Sequence, residues 1–293
     1  MPDRFLKPDP EVMAEKDTVS SVSPEEVLQA IERADLYLPV ATEISSVPAE
    51  SRVVVYSEPM SAGADRFRLI QIRLKSLQAA RNLRTLLITS PLPGDGKSTV
   101  ALNLATALSE KGKQPVLLLE ADVYRPSLSK RLGLNPWPGL TECHKRGKDP
   151  MLAIRRIDPL GFYLLPAGQP GDNGNTLLQS SFMAELIKSL SSSSFGWIII
   201  DSPPTTPVAD ILVLRSSTDA TLLVARAGKT PREAIEESAQ NLGRDNVIGL
   251  ILNSVEGLNR VYSRYYGYGE SHGRAKPAKR KTLEGLGLHN HAR

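Results

Sequence analysis

The sequence predicts an α/β fold, a mostly parallel sheet with helices on both faces and flexible extensions at both ends of the chain. Three observations carry this. Short apolar runs alternate with helical stretches, the first run feeds into a glycine turn that opens a helix, and the two ends are polar and opposite in charge. With 293 residues, 41% hydrophobic and 23% charged, the chain has material for one large domain with loose ends. No apolar run approaches the roughly 18 residues of a membrane-crossing helix. The acidic start lacks the apolar core of a secretory signal, so a cytoplasmic protein is predicted. One cysteine, Cys143, and four scattered histidines exclude a disulfide scaffold and a structural zinc site.

Residues 1–57 read as an acidic flexible arm, since positions 1–50 hold four basic and eleven acidic side chains, a net −7. Within it, Ser23-Pro24-Glu25-Glu26 followed by Val27, Leu28 and Ile31 has a capping hydroxyl, a proline at the first helical position and acids in the first turn. That predicts one short amphipathic helix. A second helix is predicted over 65–82, where Phe67, Leu69, Ile70, Ile72, Leu74 and Leu77 are interleaved with arginines and a lysine. The period then changes. Strands are predicted over 85–89, 115–120, 161–165, 197–201, 220–225 and 247–252, continuous apolar runs suited to a sheet buried on both faces. Helices over 97–111, 176–191, 207–215 and 231–243 separate them. The body is placed at 58–261, and 262–293 as a tyrosine cluster and basic tail, in which 273–293 holds six basic and one acidic side chain, a net +5.

In such a sheet, ligands sit at the carboxyl ends of the strands. The first strand ends in Pro93-Gly94-Asp95-Gly96-Lys97-Ser98-Thr99, followed by an apolar helix. Glycines let the backbone wrap so that amides face phosphate oxygens, and the helix N-terminus adds positive charge. Lys97 would reach the β- and γ-phosphates and the Ser98 hydroxyl would bind Mg²⁺. The fold is therefore P-loop NTPase-like, although the leading glycine of the Walker A pattern falls at Pro91. The alternative is a plain glycine turn joining strand and helix.

Trp197-Ile198-Ile199-Ile200-Asp201 closes an apolar strand on an acid, as a Walker B aspartate holding Mg²⁺ would; the alternative is a helix cap. Asp95, the rival carboxylate, is expected to face solvent. A third strand ends in Glu120-Ala121-Asp122. Acids at i and i+2 of an extended segment point to one side, so both are expected at the metal and phosphate cluster, accepting a proton from an attacking hydroxyl. Isolated, such a pair would read as a solvated turn.

Together these motifs resemble the bacterial tyrosine kinases of the capsular and exopolysaccharide family. The loop at 93–99 resembles their Walker A motif, and the run 117–125 their additional motif, an apolar strand followed by Asp-x-Asp-x-Arg. Leu165-Pro166-Ala167-Gly168, Ile200-Asp201-Ser202-Pro203-Pro204, Val224 to Thr230 and Gly249 to Asn253 follow in the family's order. Tyr262, Tyr265, Tyr266 and Tyr268, half of the chain's eight tyrosines, resemble the terminal cluster phosphorylated between subunits; stacking on nucleic acid is the weaker alternative. Three departures stand out. Glu120 replaces an Asp, Tyr124 replaces an Arg with Arg125 beside it, and the oligomerisation motif Glu-x-x-Arg-x-x-Arg is matched only by Asp65, Arg68 and Gln71.

The resemblance implies an ATP- and Mg²⁺-dependent protein-tyrosine autokinase that regulates polysaccharide synthesis or export. Lys97, Glu120, Asp122 and Asp201 would be catalytic, with Ser98, Asp122 and Asp201 at the metal. It implies a ring-forming homo-oligomer that phosphorylates in trans, a membrane activator of the polysaccharide copolymerase type and a phosphotyrosine phosphatase. The protein would then lie at the inner face of the membrane, with no specific nucleic-acid partner. Four phosphotyrosines would place roughly −6 to −8 beside the +5 tail, an electrostatic switch. Two alternatives remain: a catalytically weakened regulatory ATPase, for which Glu120 and Tyr124 speak, and a partitioning-type ATPase of the deviant Walker A group, whose signature lysine is here Leu92.

Overall fold

The structure, a computed structural model, describes residues 42–44, 46–110, 114–171, 174–206 and 210–256. The helix expected near 23–31, the tyrosine cluster at 262–268 and the basic tail lie outside these residues. The described chain opens with β1 (Thr42–Ile44), a 3-10 turn (Ala49–Ser51) and helices α1 (Val54–Ser57) and α2 (Ala62–Arg81). The stretch 46–57, read from sequence as part of the arm, belongs to the body. Val53 and Val55 are each 1% exposed, and Asn103 ties them down, its Oδ1 accepting from Val55 N and its Nδ2 donating to Arg52 O. Two buried valines outweigh the polar composition around them. Helix α2 starts at Ala62, earlier than expected, because Ser61 Oγ accepts the Ala64 amide at 3.2 Å. It stops where Asn82 turns to φ 53°.

The rest alternates: β2 (Thr85–Thr89), α3 (Lys97–Ser109), β3 (Val116–Glu120), α4 (Leu128–Arg131), α5 (Leu140–Arg146), β4 (Arg155–Asp158), β5 (Phe162–Leu165), α6 (Gly174–Leu178), α7 (Ser181–Ser191), β6 (Trp197–Asp201), α8 (Asp210–Ser216), β7 (Ala220–Arg226), α9 (Arg232–Leu242) and β8 (Val247–Asn253). The single helix expected over 176–191 is two. The Ser180 hydroxyl donates to Leu177 O at 2.6 Å, competing with the helical bond there. Strand β4 has no apolar signature because Arg155 is buried in it, donating to the carbonyls of Asn135 and Pro138.

The eight strands run in the order β1-β4-β5-β3-β6-β2-β7-β8. Every neighbouring pair is parallel except β4 and β5. An apolar cluster covers each face, one containing Leu86, Ile88, Leu118 and Ile199 with Leu102 and Leu104 of α3, the other Leu87, Leu117, Ile198 and Ile200 with Ile187 of α7. Burial on both faces is why the central strands read as continuous rather than alternating runs. Strand β6 lies between β2 and β3, with Asp201 opposite Ile88 on one side and Glu120 on the other. That register delivers Asp201 between the glycine loop and the acids after β3. Among the described residues no helix is long and apolar enough to cross a membrane.

Candidate active site

The chain leaves β2 at Thr89, wraps through Pro93 and Gly94, and enters α3 at Lys97. Gly94 and Gly96 hold φ of 87° and 100°, the left-handed region that L side chains avoid. At Gly96 there is also no room, since a Cβ would stand 1.9 Å from Asn253 Nδ2. Asn253, at the end of β8, donates from that nitrogen to Asp95 O at 2.9 Å, so the far strand of the sheet clamps the loop. Asp95 does not face solvent as expected. It is 3% exposed, one oxygen accepting the Leu92 amide at 3.0 Å and the other the Thr230 hydroxyl at 2.7 Å. Its carboxylate folds inward because the tight turn leaves amides and a neighbouring hydroxyl that need an acceptor.

Three of the expected side chains converge at the loop. Lys97 Nζ lies 2.7 Å from Asp122 Oδ2. Burial works against the Lys97 ammonium, but the Asp201 and Asp122 carboxylates outweigh it and hold its pKa above the ordinary value. Asp201 is 1% exposed and neither of its oxygens has a hydrogen-bond partner in good geometry. Burial pushes its carboxyl up to about 7; Lys97 and the nearby Ser98 hydroxyl pull it back, while Glu120 and Asp122 add to the rise. Two backbone amides, of Ala121 and Asp122, donate to the Asp201 carbonyl at 2.8 and 3.1 Å, which fixes Asp122 beside it.

Glu120 is not part of this convergence, contrary to the expectation that it faces the metal and phosphate cluster beside Asp122. It is fully buried. Oε1 accepts the amides of Ser127 and Leu128, each at 2.6 Å, and Oε2 that of Ala167 at 3.2 Å. Burial raises its pKa although those amides oppose the rise. The alternation that would have aimed Glu120 and Asp122 the same way fails because the strand ends at Glu120. Tyr124, in place of the expected arginine, turns its hydroxyl to Asp210, which also accepts from Gln179. Arg125 gives its amide to Asp122 Oδ1 at 3.1 Å and lines the cleft.

The cleft over the loop has a volume of about 640 Å³ and is lined by Pro93, Gly94, Lys97, Ser98, Thr99 and Asp122 among others. Four arginines, Arg52, Arg125, Arg131 and Arg226, face it as well. Sequence reasoning missed Arg52 and Arg131, which sit in no motif, and gave no role to Arg226 or Asn253, although both lie within matched runs. This is a cationic cleft suited to a polyphosphate. Among the described residues, no group of three or more His, Cys, Asp or Glu side chains could hold a metal alone. Mg²⁺ fits such a site, since it is bound through one or two carboxylates together with substrate phosphates and water, and the unpartnered buried oxygens of Asp201 are the donors for it.

The residues matched to the oligomerisation motif are engaged within the chain. Gln71 is 7% exposed, its amide donating to Ala107 O of α3. Arg68 binds Glu110 through two nitrogens at 3.1 and 3.0 Å and Asp65 at 3.2 Å. Gln71 lies on the side of α2 that packs on α3. The exposed apolar residues of the helix are Leu69 and Ile72.

A family model described as "ParA: NUBPL iron-transfer P-loop NTPase" matches residues 82–253, from the end of α2 to the clamp at Asn253. The chain belongs to the ParA family of P-loop NTPases. Several of the proteins it is similar to are named tyrosine-protein kinases. The tyrosine-protein kinase YwqD of Bacillus subtilis (strain 168) is 29% identical over 220 residues, 74% of this chain and 92% of that protein. The succinoglycan biosynthesis transport protein ExoP of Rhizobium meliloti (strain 1021) is 30% identical over 211 residues, 70% of this chain. The chain spans only 26% of ExoP's length. Among solved structures, the BceF tyrosine kinase domain aligns with a TM-score of 0.62 at 26% identity, covering 76% of this chain and 96% of that one.

Proposed function

We propose that this chain is an ATP- and Mg²⁺-dependent protein-tyrosine autokinase acting in capsular or exopolysaccharide production. The observation that carries the reading is the convergence of Lys97, Asp122 and the unpartnered Asp201 on one glycine loop. ATP with Mg²⁺ would supply the transferable phosphoryl group and neutralise charge on its β and γ oxygens. Lys97 would leave Asp122 for the phosphates, the loop amides would orient them, and Ser98 with Asp201 would hold the metal. Asp122, released from the lysine, takes the proton of an incoming tyrosine, whose free phenol has a pKa near 10. The phenol oxygen bonds to the γ-phosphorus as the bond to the bridging oxygen breaks and ADP leaves.

The acceptors in this reading are Tyr262, Tyr265, Tyr266 and Tyr268 of a neighbouring copy, with a ring-forming homo-oligomer doing the exchange. A membrane partner of the polysaccharide copolymerase type would activate it at the inner face of the membrane, and a phosphotyrosine phosphatase would reverse it. The names of YwqD and ExoP support the kinase and the polysaccharide parts. The test is to incubate the full chain with Mg-ATP and map phosphotyrosine by mass spectrometry. Modification of the cluster is expected, lost in Lys97→Met and Asp201→Asn; a signal that persists in both variants overturns the assignment.

A second reading, a regulatory ATPase without efficient tyrosine phosphorylation, is favoured by Glu120, whose carboxylate is occupied by three backbone amides, and by Tyr124 in the arginine position. ATP binding and ring formation without phosphotyrosine would select it.

A further inference from the structure

Arg131 ends α4, and its guanidinium makes one side-chain hydrogen bond, from Nη1 to the Thr99 hydroxyl at 2.9 Å. Thr99 belongs to the first turn of α3, directly after Lys97 and Ser98. The guanidinium is half-buried and lines the cleft. Among the described residues it forms no ion pair, whereas Arg68, Arg156 and Arg232 each meet a carboxylate. Most of its five N–H donors therefore have no partner. Burial lowers its pKa; Asp201 and Glu120 act against that from a distance while Arg52 adds to it. A cation removed from water without an anionic partner is unfavourable unless a ligand completes it.

Its position is built. Glu120 accepts the amides of Ser127 and Leu128 at 2.6 Å, so the acid that ends β3 holds the start of the turn that carries Arg131. Leu128 and Leu132, both fully buried, pin the same turn into the core. The guanidinium is thereby fixed against the phosphate-loop helix by the fold, not left to a mobile surface side chain.

We propose that Arg131 is a second phosphate-binding cation of this cleft, contacting the polyphosphate of the bound nucleotide beside Lys97. The proposal rests on the nucleotide reading above and adds a residue outside every motif in the sequence. A planar fork of donors suits phosphate oxygens in pairs, and the anion would satisfy the donors now unpartnered.

The test compares full-length wild type, Arg131→Met and Arg131→Lys for binding of a fluorescent ATP analogue with Mg²⁺, and for thermal unfolding without nucleotide. Arg131→Met is expected to bind the analogue roughly ten- to a hundredfold more weakly, the size of a charged hydrogen bond. Arg131→Lys should recover part of the loss, having the charge without the fork. Ligand-free melting should not fall in either variant. Analogue binding at wild-type strength in Arg131→Met overturns the proposal, and so does weakened binding that falls together with ligand-free melting, which would make Arg131 a packing residue. A wild-type chain that binds no nucleotide would instead sink the function proposed above, and the ligand assigned here with it.

Discussion

Lys97 and Asp122 form a 2.7 Å ion pair with side chains only 13% and 5% exposed. The lysine proposed to reach for phosphate is thus held by the acid proposed to take the tyrosine proton, and binding a nucleotide through that lysine would separate them. Asp122→Asn removes the competitor and the proton acceptor together. It should leave affinity for an ATP analogue equal to or tighter than wild type while phosphotyrosine formation falls about 10²- to 10⁴-fold, the usual contribution of a general base. Parallel titrations and phosphotyrosine blots check this; loss of nucleotide affinity would show that the pair is needed to shape the loop.

Asp201 carries a pH signature. Its carboxyl rises from an ordinary 3.8 to about 7 by burial, so the folded chain holds a proton that the unfolded chain releases. Stability from this group is complete below about pH 4 and is lost as pH rises through about 7. At about 1.4 kcal/mol per pKa unit, the loss by pH 8 has an upper bound of about 4 kcal/mol. Asp201→Asn should therefore melt higher than wild type at pH 8 and equally at pH 4, while abolishing phosphorylation. Equal melting at both values would mean the carboxyl is not desolvated in solution.

The two loop glycines separate backbone strain from crowding. At Gly94 an added Cβ meets nothing within 4 Å, so Gly94→Ala carries only the strain of φ 87°, on the order of 1 kcal/mol. At Gly96 the Cβ would strike Asn253, breaking the clamp on Asp95. Gly96→Ala should cost at least tenfold more nucleotide affinity than Gly94→Ala, and adding Asn253→Ala to Gly96→Ala should recover part of it. Isothermal titration of the four proteins is the measurement.

Glu120 is a stability residue in this geometry. Glu120→Ala leaves the amides of Ser127, Leu128 and Ala167 without their acceptor and should destabilise by at least about 2 kcal/mol, given roughly 1–3 kcal/mol for one unmet buried group. Urea unfolding measures it. Wild-type stability would place the carboxylate elsewhere in solution, open to the catalytic role that its sequence position suggests.

The resemblance set out from the motifs holds, and much of the sheet was legible because its strands are buried on both faces and so appear as unbroken apolar runs. Lys97, Ser98 and Asp201 could be found for the same kind of reason, since loop and strand motifs place them by backbone geometry alone. Strand β4 could not be read, because one of its two buried positions is taken by Arg155 paired with two carbonyls, a compensation invisible in composition. Asp95 and Glu120 were misplaced because strand alternation and turn exposure describe local geometry, whereas the destinations of these carboxylates are amides and hydroxyls from elsewhere in the chain.

The sequence by itself determined the alternation of elements, the phosphate loop and the acids that end two strands, all of which depend on neighbours within a few residues. The tertiary structure alone decided which acid meets the lysine, that Asn253 clamps the loop across the sheet, and that Arg131 faces the cleft. A carboxylate in a packed protein goes to whichever donors the fold brings within about 3 Å, and for Asp95 and Glu120 these include Thr230 and Ala167, far along the chain, beside donors from their own turns.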